Sequence, residues 1–293
     1  MALFPGFEPR WFDVGDVVIH GVVGGSGPPL LLLHGYPQTH AMWHKVATQL
    51  AEHFTVVATD LRGYGASGKP DGGGSPPHWA YSKREMAADQ IRVMGSLGYE
   101  RFDVVGHDRG ARVAHRMLLD HESRIRRWAV LDVVPTLTMY RKTDRRFAEA
   151  YYHWFFLIQP APLPERLIGA DPDFFLTRHL GSRHGGLAAF DPEALSQYLR
   201  AFRNPATIHA SCEDYRAAAT IDLEHDEADL GRRIRAPLLV LWGKHGVVET
   251  CFEPLDDWRE HATSVTGRAL ECGHYLAEEL PGATAAELLA FLK

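Results

Sequence analysis

Residues 106–116 read GHDRGARVAHR: a carboxylate, Asp108, framed by Gly106 and Gly110 and followed by Arg109, Arg112 and Arg116. A strand-like run, FDVVGHD at 102–108, leads into it, and a helical pattern, ARVAHRML, leads away. Glycines flanking one residue between strand and helix leave room for a strained turn that exposes the central side chain, a nucleophile elbow. Serine is usual there. A carboxylate attacking acyl carbon would give a reactive anhydride, whereas at saturated carbon it displaces a leaving group and forms an alkyl ester. The leaving group is then a halide or the oxygen of an opened epoxide.

Hydrolysis of that ester needs a base and an acid to orient it, in the chain order nucleophile, acid, histidine. Gly273-His274 closes a late strand-like run, GRALECGH at 267–274, and is expected to supply the base. Two acids compete. Glu249 falls several residues after PLLVLWG (237–243), whereas Asp132 ends WAVLDVV (128–134), one strand after the elbow, and the spacing favours Asp132. HGYP at 34–37 follows the run PLLLL. Its Tyr36 backbone N–H, with that of Arg109, is expected to form the oxyanion hole for the ester carbonyl of Asp108.

Arg109 adjoins the nucleophile and Arg112 lies one helical turn beyond Asp108, so both can converge on the mouth of the site. Guanidinium forks grip planar carboxylates and offset repulsion between an anionic substrate and Asp108. A carboxylate beside the reacting carbon is therefore the expected substrate feature. A solvated or ion-paired helix face is the plainer alternative. Against it, two arginines at the start of a helix that packs on a sheet are costly unless partnered. Arg116, a further turn along, is read as structural.

These side chains need a scaffold, and short apolar runs supply one. VVIHGVV (17–23), PLLLLHG (29–35), FTVVATD (54–60), FDVVGHD and WAVLDVV resemble strands buried on both faces of a parallel sheet. Ser82 and Glu85 predict a capping box ahead of apolar Met86, Ile91, Met94 and Leu97. From about residue 136 until PLLVLWG no clear strand appears, and aromatics, prolines and helical runs take over. The expected layout is an α/β core with a mostly parallel sheet flanked by helices, over 1–135 and 225–293, and an inserted helical cap over 136–224. A last helix is expected near 283–292.

The segments HGYPQTHAMWH, DLRGYGASGKP, YSKREMA, GHDRGARVAHRM, YYHWFFLIQPAPLPE, CEDYRA and GHYLAEE resemble those of the fluoroacetate (haloacetate) dehalogenases of the α/β-hydrolase superfamily. The likeness spans nearly the whole chain. The elbow with its arginine pair is the most specific part, since relatives acting on haloalkanes or epoxides commonly carry tryptophan where Arg109 stands. The resemblance implies hydrolytic dehalogenation of 2-haloacids, fluoroacetate to glycolate and fluoride, by a homodimer. It also implies a halide pocket of His153, Trp154 and Tyr215 from the cap. The residues alone leave that open, because aromatics at helical spacing, such as Tyr151, Phe155 and Phe156, read equally as core. An imidazole, an indole N–H and a phenol can donate three hydrogen bonds to a departing anion, which matters most for fluoride. An epoxide hydrolase, with Tyr152 or Tyr215 protonating the epoxide oxygen, stays open. So do a preference for chloroacetate and a catalytically silent binding protein on the same fold.

The bulk properties narrow the partners to small molecules. A chain of 293 residues, 45% hydrophobic, can bury a sizeable core, and a net charge of −6 without a basic block speaks against nucleic acid. The longest apolar runs are too short to span a bilayer, and MALFPGFEPRWFDVGD lacks the pattern of a secretory signal. Cys212, Cys251 and Cys272, odd in number and without CxxC spacing, suit reduced thiols in a cytoplasm. Cys272 has no neighbouring cation to activate it. GYGASG at 63–68 matches GxGxxG, but Pro70 and DGGGSPP forbid a prompt helix, so no nucleotide site is expected. His40 and His44 are four apart without a third ligand and are read as surface residues; no metal or organic cofactor is expected.

Overall fold

The apolar runs become strands of one sheet in a computed structural model that describes residues 3–293. In chain order they are β1 (Phe7–Asp13), β2 (Val18–Gly25), β3 (Pro29–Leu33), β4 (Thr55–Thr59), β5 (Phe102–His107), β6 (Ile125–Leu131), β7 (Leu238–Gly243) and β8 (Val265–Leu270). They lie side by side in the order β1-β2-β4-β3-β5-β6-β7-β8. β2 pairs antiparallel with both β1 and β4, and all other pairings are parallel. Every residue of β5 and β7 is buried, as expected for parallel strands covered by helices on both faces.

β1 is the strand that apolar patterning misses. Only Phe12 of FEPRWFD is buried, and Pro9 sits opposite Val22 on the outermost strand. An edge strand tolerates proline because one of its sides needs no ladder hydrogen bond.

The chain steps from β3 outward to β4, then returns to the other side of β3 as β5. That reversal opens a crevice beyond the C-terminal ends of β3 and β5, the usual ligand position in a doubly wound sheet. Tyr36 follows β3, Asp108 follows β5, Asp132 follows β6 and His274 follows β8, so strand ends bring all four to one edge. The helix Lys83–Ser96 starts on Ser82, whose hydroxyl accepts the Glu85 N–H at 3.2 Å. Between β6 and β7 the described residues form helices and no strand, running from Thr136–Arg141 to Ile221–Ala228. Pro172, Pro192 and Pro205 each sit in the first turn of a helix, where the missing N–H is not needed. The last helix is Pro281–Leu292. Among the described residues no helix is long and apolar enough to cross a membrane.

The GYGASG segment is a tight loop with Gly63 at φ 88° and Gly65 at φ 51°, and no helix follows it. Lys69 turns back onto the loop, its ammonium donating to the Gly65 and Ser67 carbonyls at 2.9 and 2.7 Å. Beneath the loop sits Asp60, and here the structure departs from the surface reading of His40. One Asp60 oxygen accepts the His40 backbone N–H and imidazole Nδ1–H at 2.9 and 2.8 Å. The other accepts the Ala66 N–H and the His20 Nδ1–H, both at 2.9 Å. His20, His40 and Asp60 lie close enough to share an ion. Four donors on two oxygens already account for the cluster as a closed hydrogen-bonded unit. His44 is buried as well and points elsewhere, to the Ala41 carbonyl at 2.8 Å.

Candidate active site

Asp108 stands between β5 and the helix Arg109–His121 with φ 45°, a conformation costly for any residue with a Cβ. The flanking glycines make the turn possible. A Cβ at Gly106 would lie 2.5 Å from the Ala111 nitrogen, and one at Gly110 would lie 2.4 Å from the His34 carbonyl oxygen. The Asp108 carboxylate is buried and accepts the Tyr36 N–H at 3.1 Å. The Arg109 amide, expected as a second donor, makes no such bond among the described residues. Burial works against the charge of Asp108, but His274, Arg112, His107 and Arg109 outweigh it, and the carboxyl titrates below its ordinary value.

Asp132 and His274, 142 residues apart in sequence, meet at 2.6 Å between Oδ2 and Nδ1. The other Asp132 oxygen accepts the Gly243 N–H at 2.9 Å. A carboxylate so held accepts the hydrogen bond of the Nδ1–H and leaves Nε2 of His274 free as a base. Asp132 is itself at φ 50°, so two acids of this edge sit in the left-handed region. Glu249, the competing acid, bonds instead to the Trp242 indole at 2.5 Å and to Lys244. His107 was not anticipated. Its Nε2–H donates to the His274 carbonyl at 2.9 Å, and burial with the neighbouring His274 pushes its pKa down to about 3, so it holds the His274 turn as a neutral ring. Its position beside the nucleophile was the available signal.

The three arginines of the elbow helix part company. Arg109 donates from Nε and Nη2 to both oxygens of Asp214 at 2.9 and 2.8 Å, and Nη2 also reaches the Asp214 carbonyl at 2.7 Å. Its fork is therefore occupied, and only Nη1 is buried without a partner. Among the described residues Arg112 reaches no carboxylate. Its Nη1 donates to Thr136 Oγ1 at 2.8 Å and the Val134 carbonyl at 3.2 Å, and its Nε is unpartnered. Burial and the charge of Arg109 push the Arg112 pKa down, against the pull of Asp108, whereas Asp214 more than offsets burial for Arg109. Arg116 turns away to Asp226, Asp229 and Asp120 at 2.8, 2.5 and 3.3 Å. Asp214 was missed as a partner. It also takes the Tyr64 hydroxyl at 2.6 Å and the Lys83 ammonium, joining segments that sequence spacing cannot relate.

The helices Tyr152–Leu157 and Pro205–Ala219 close the site from the other side. His153, Trp154 and Tyr215 are all buried and adjacent, with the Tyr215 ring centroid 5.8 Å from His153 and 6.1 Å from Trp154. The arginines join the cluster from the core side: Arg109 lies 4.1 Å over the Tyr215 ring and Arg112 lies 4.7 Å over Trp154. His153 Nδ1, Trp154 Nε1 and the Tyr215 hydroxyl are buried without a partner. Burial, reinforced by His179, keeps the His153 imidazole neutral, its pKa well below the ordinary value. Five buried polar groups, two from the core side and three from the helical side, thus lie in one cluster near Asp108 with no hydrogen-bond partner among the described residues. Cys272 is a free, buried thiol pushed up to about 12 by burial, which leaves it protonated and unreactive.

Residues 28–279 match the alpha/beta hydrolase fold family. A fluoroacetate dehalogenase from Burkholderia sp is 51% identical over 291 residues, covering 99% of this chain and 95% of its own length. A soluble epoxide hydrolase from Corynebacterium sp. (strain C12) is 34% identical, covering 90% of this chain and 89% of its own. Among solved structures, a Nostoc sp PCC 7120 protein, provisionally assigned as an alpha/beta hydrolase, superposes with a TM-score of 0.96. It is 57% identical, with 98% of each chain covered.

Proposed function

From a chain that belongs to the alpha/beta hydrolase fold family and, within it, to the haloacetate dehalogenases, hydrolases acting on carbon–halide bonds, we propose that this protein converts fluoroacetate to glycolate and fluoride. Asp108 attacks the halogen-bearing carbon. The new bond joins an Asp108 oxygen to that carbon, and the carbon–halogen pair leaves with the halide. His274 Nε2, with Nδ1 held by Asp132, then takes a proton from water, and the hydroxide adds to Cγ of Asp108. Negative charge on the ester carbonyl oxygen is met by the Tyr36 N–H, and in this reading by the Arg109 N–H as well. Collapse breaks the Cγ–O bond to the substrate carbon, and glycolate departs with the proton held by His274. One haloacetate and one water give one hydroxyacetate, one halide and one proton.

The observation that carries the reading is the ring of unpartnered groups beside a charged Asp108. Arg109 Nη1 and Arg112 Nε take the substrate carboxylate, one nitrogen from each arginine. His153, Trp154 and Tyr215 take the developing halide, and charge caught as it forms lowers the barrier of a poor leaving group. The segment 136–224 acts as a cap over a core of 1–135 and 225–293. The enzyme works without metal or organic cofactor on a small-molecule acid, with no nucleic-acid or membrane partner, as a homodimer in the cytoplasm.

Incubation with fluoroacetate and with chloroacetate, followed by halide-ion measurement, tests the reading; release from neither overturns it. Relative rates on the two also decide which halide is preferred. The epoxide alternative draws on the Corynebacterium relative and on the Tyr215 hydroxyl. Its second tyrosine weakens it, since Tyr152 is 49% exposed. Turnover of neutral epoxides without haloacids would decide for it.

A further inference from the structure

Arg183 lies in the turn after the helix Pro172–Gly181. The turn covers the base: a Cβ at Gly273, next to His274, would lie 2.6 Å from the His184 Cβ. Arg183 itself is half-buried. Its guanidinium lies 4.6 Å over the Tyr151 ring, whose centroid is 5.1 Å from His153 and 6.3 Å from His274. Its Nε is buried and unpartnered.

Arg62, Arg109, Arg116 and Arg216 are also withdrawn from solvent, and each reaches at least one carboxylate. Among the described residues Arg183, like Arg112, reaches none. Stacking on one ring contributes about 0.5–2 kcal/mol, and the half-buried guanidinium keeps part of its hydration. Burial opposes its charge, yet Tyr151, Tyr275 and Asp132 outweigh burial and keep it protonated. A cation that stacks on Tyr151 and reaches no carboxylate, close to His153 and His274, is placed to attract anions.

We propose that Arg183 is a specificity-determining residue that draws the haloacid anion to the mouth of the site, ahead of its capture by Arg109 and Arg112. The proposal rests on the haloacid reading above. Arg183 acts on encounter and leaves the displacement to Asp108, so its removal lowers kcat/KM and spares kcat. An encounter cation also makes kcat/KM fall with salt.

The test measures fluoride release by the wild-type enzyme, R183Q, R183M and R183K from about 0.01 to 0.15 M ionic strength. R183M keeps a straight side chain over Tyr151 and removes the charge. At low salt R183Q and R183M are expected to lose about tenfold in kcat/KM with kcat nearly unchanged, and their salt dependence should flatten. R183K should recover most of the loss. A kcat/KM retained in the neutral variants, a fall confined to kcat, or no recovery in R183K overturns the proposal. The wild-type enzyme tests it independently of how the variants fold, because a kcat/KM indifferent to salt also overturns it. Absence of halide release from wild type at any salt would sink the haloacid reading instead, so the two failures are distinguishable.

Discussion

Two buried polar clusters lie in this molecule within the reach of one loop, and they are built on opposite principles. Around Asp60, two carboxylate oxygens meet four donors, two imidazoles and two backbone amides, and the account closes. Around Asp108 the account stays open: Arg109, Arg112, His153, Trp154 and Tyr215 each hold a buried polar atom with no partner. The donors of the second cluster stay open to water or a bound partner, whereas those of the first are spent within the chain. Burial and charge alone do not separate a structural cluster from a candidate site. Position at the strand ends beside the elbow does, together with open donors contributed from both sides.

The largest effect should come from the centre of the open cluster. Asp108→Asn removes the attacking charge and should reduce halide release by on the order of 10⁴-fold or more, with no ester detected by mass spectrometry. A receptor on this fold would keep its ligand response in the same variant. Asp60→Asn attacks the closed cluster. Its amide nitrogen cannot accept, so two donors lose their acceptor and the protein should lose about 3 kcal/mol in chemical denaturation. Its turnover at temperatures where it is folded should stay normal; a parallel loss of turnover would break the contrast.

Trp154→Phe makes the reciprocal cut. Loss of one indole N–H should slow fluoride release about tenfold to hundredfold, chloride release less, and leave the melting temperature nearly unchanged. Equal slowing for both halides would detach Trp154 from the leaving group. The smallest effect concerns Glu278, which accepts the Tyr198 hydroxyl at 2.6 Å. Burial pushes this carboxyl up to about 7 from 4.5, against the pull of Tyr198 and Lys45. A raised carboxyl stabilises the fold fully below the lower value and loses that contribution as pH rises to the upper one. Glu278→Gln should therefore gain about 1 kcal/mol at pH 8 and nothing at pH 4, read from denaturation curves at both.

Much of this was legible in residue order. Apolar runs located the buried strands because parallel strands covered on both faces have no polar side to show, and β1 escaped because an edge strand has little else. Glycines at 106 and 110 announced the elbow since no other residue fits beside the Ala111 and His34 backbones. Asp132 was separable from Glu249 because strand ends set position to within a residue or two. Ion pairing was not legible. Asp214 lies 105 residues from Arg109, and nothing local marks it as the group that occupies that arginine's fork. Arg183 was hidden for the opposite reason, since its distinction is the carboxylate it lacks.

The Arg109–Asp214 pair has a consequence for traffic. Arg109 adjoins the nucleophile, and Asp214 belongs to the helix Pro205–Ala219 on the far side of the site, where Lys83 and Tyr64 also hold it. Swinging that helix outward would part a fully buried ion pair together with the Lys83 and Tyr64 contacts to the same carboxylate. The helical segment is thus bolted at this point rather than hinged. On the proposed function, small acids and halide ions come and go by the give of side chains and short turns elsewhere along the seam.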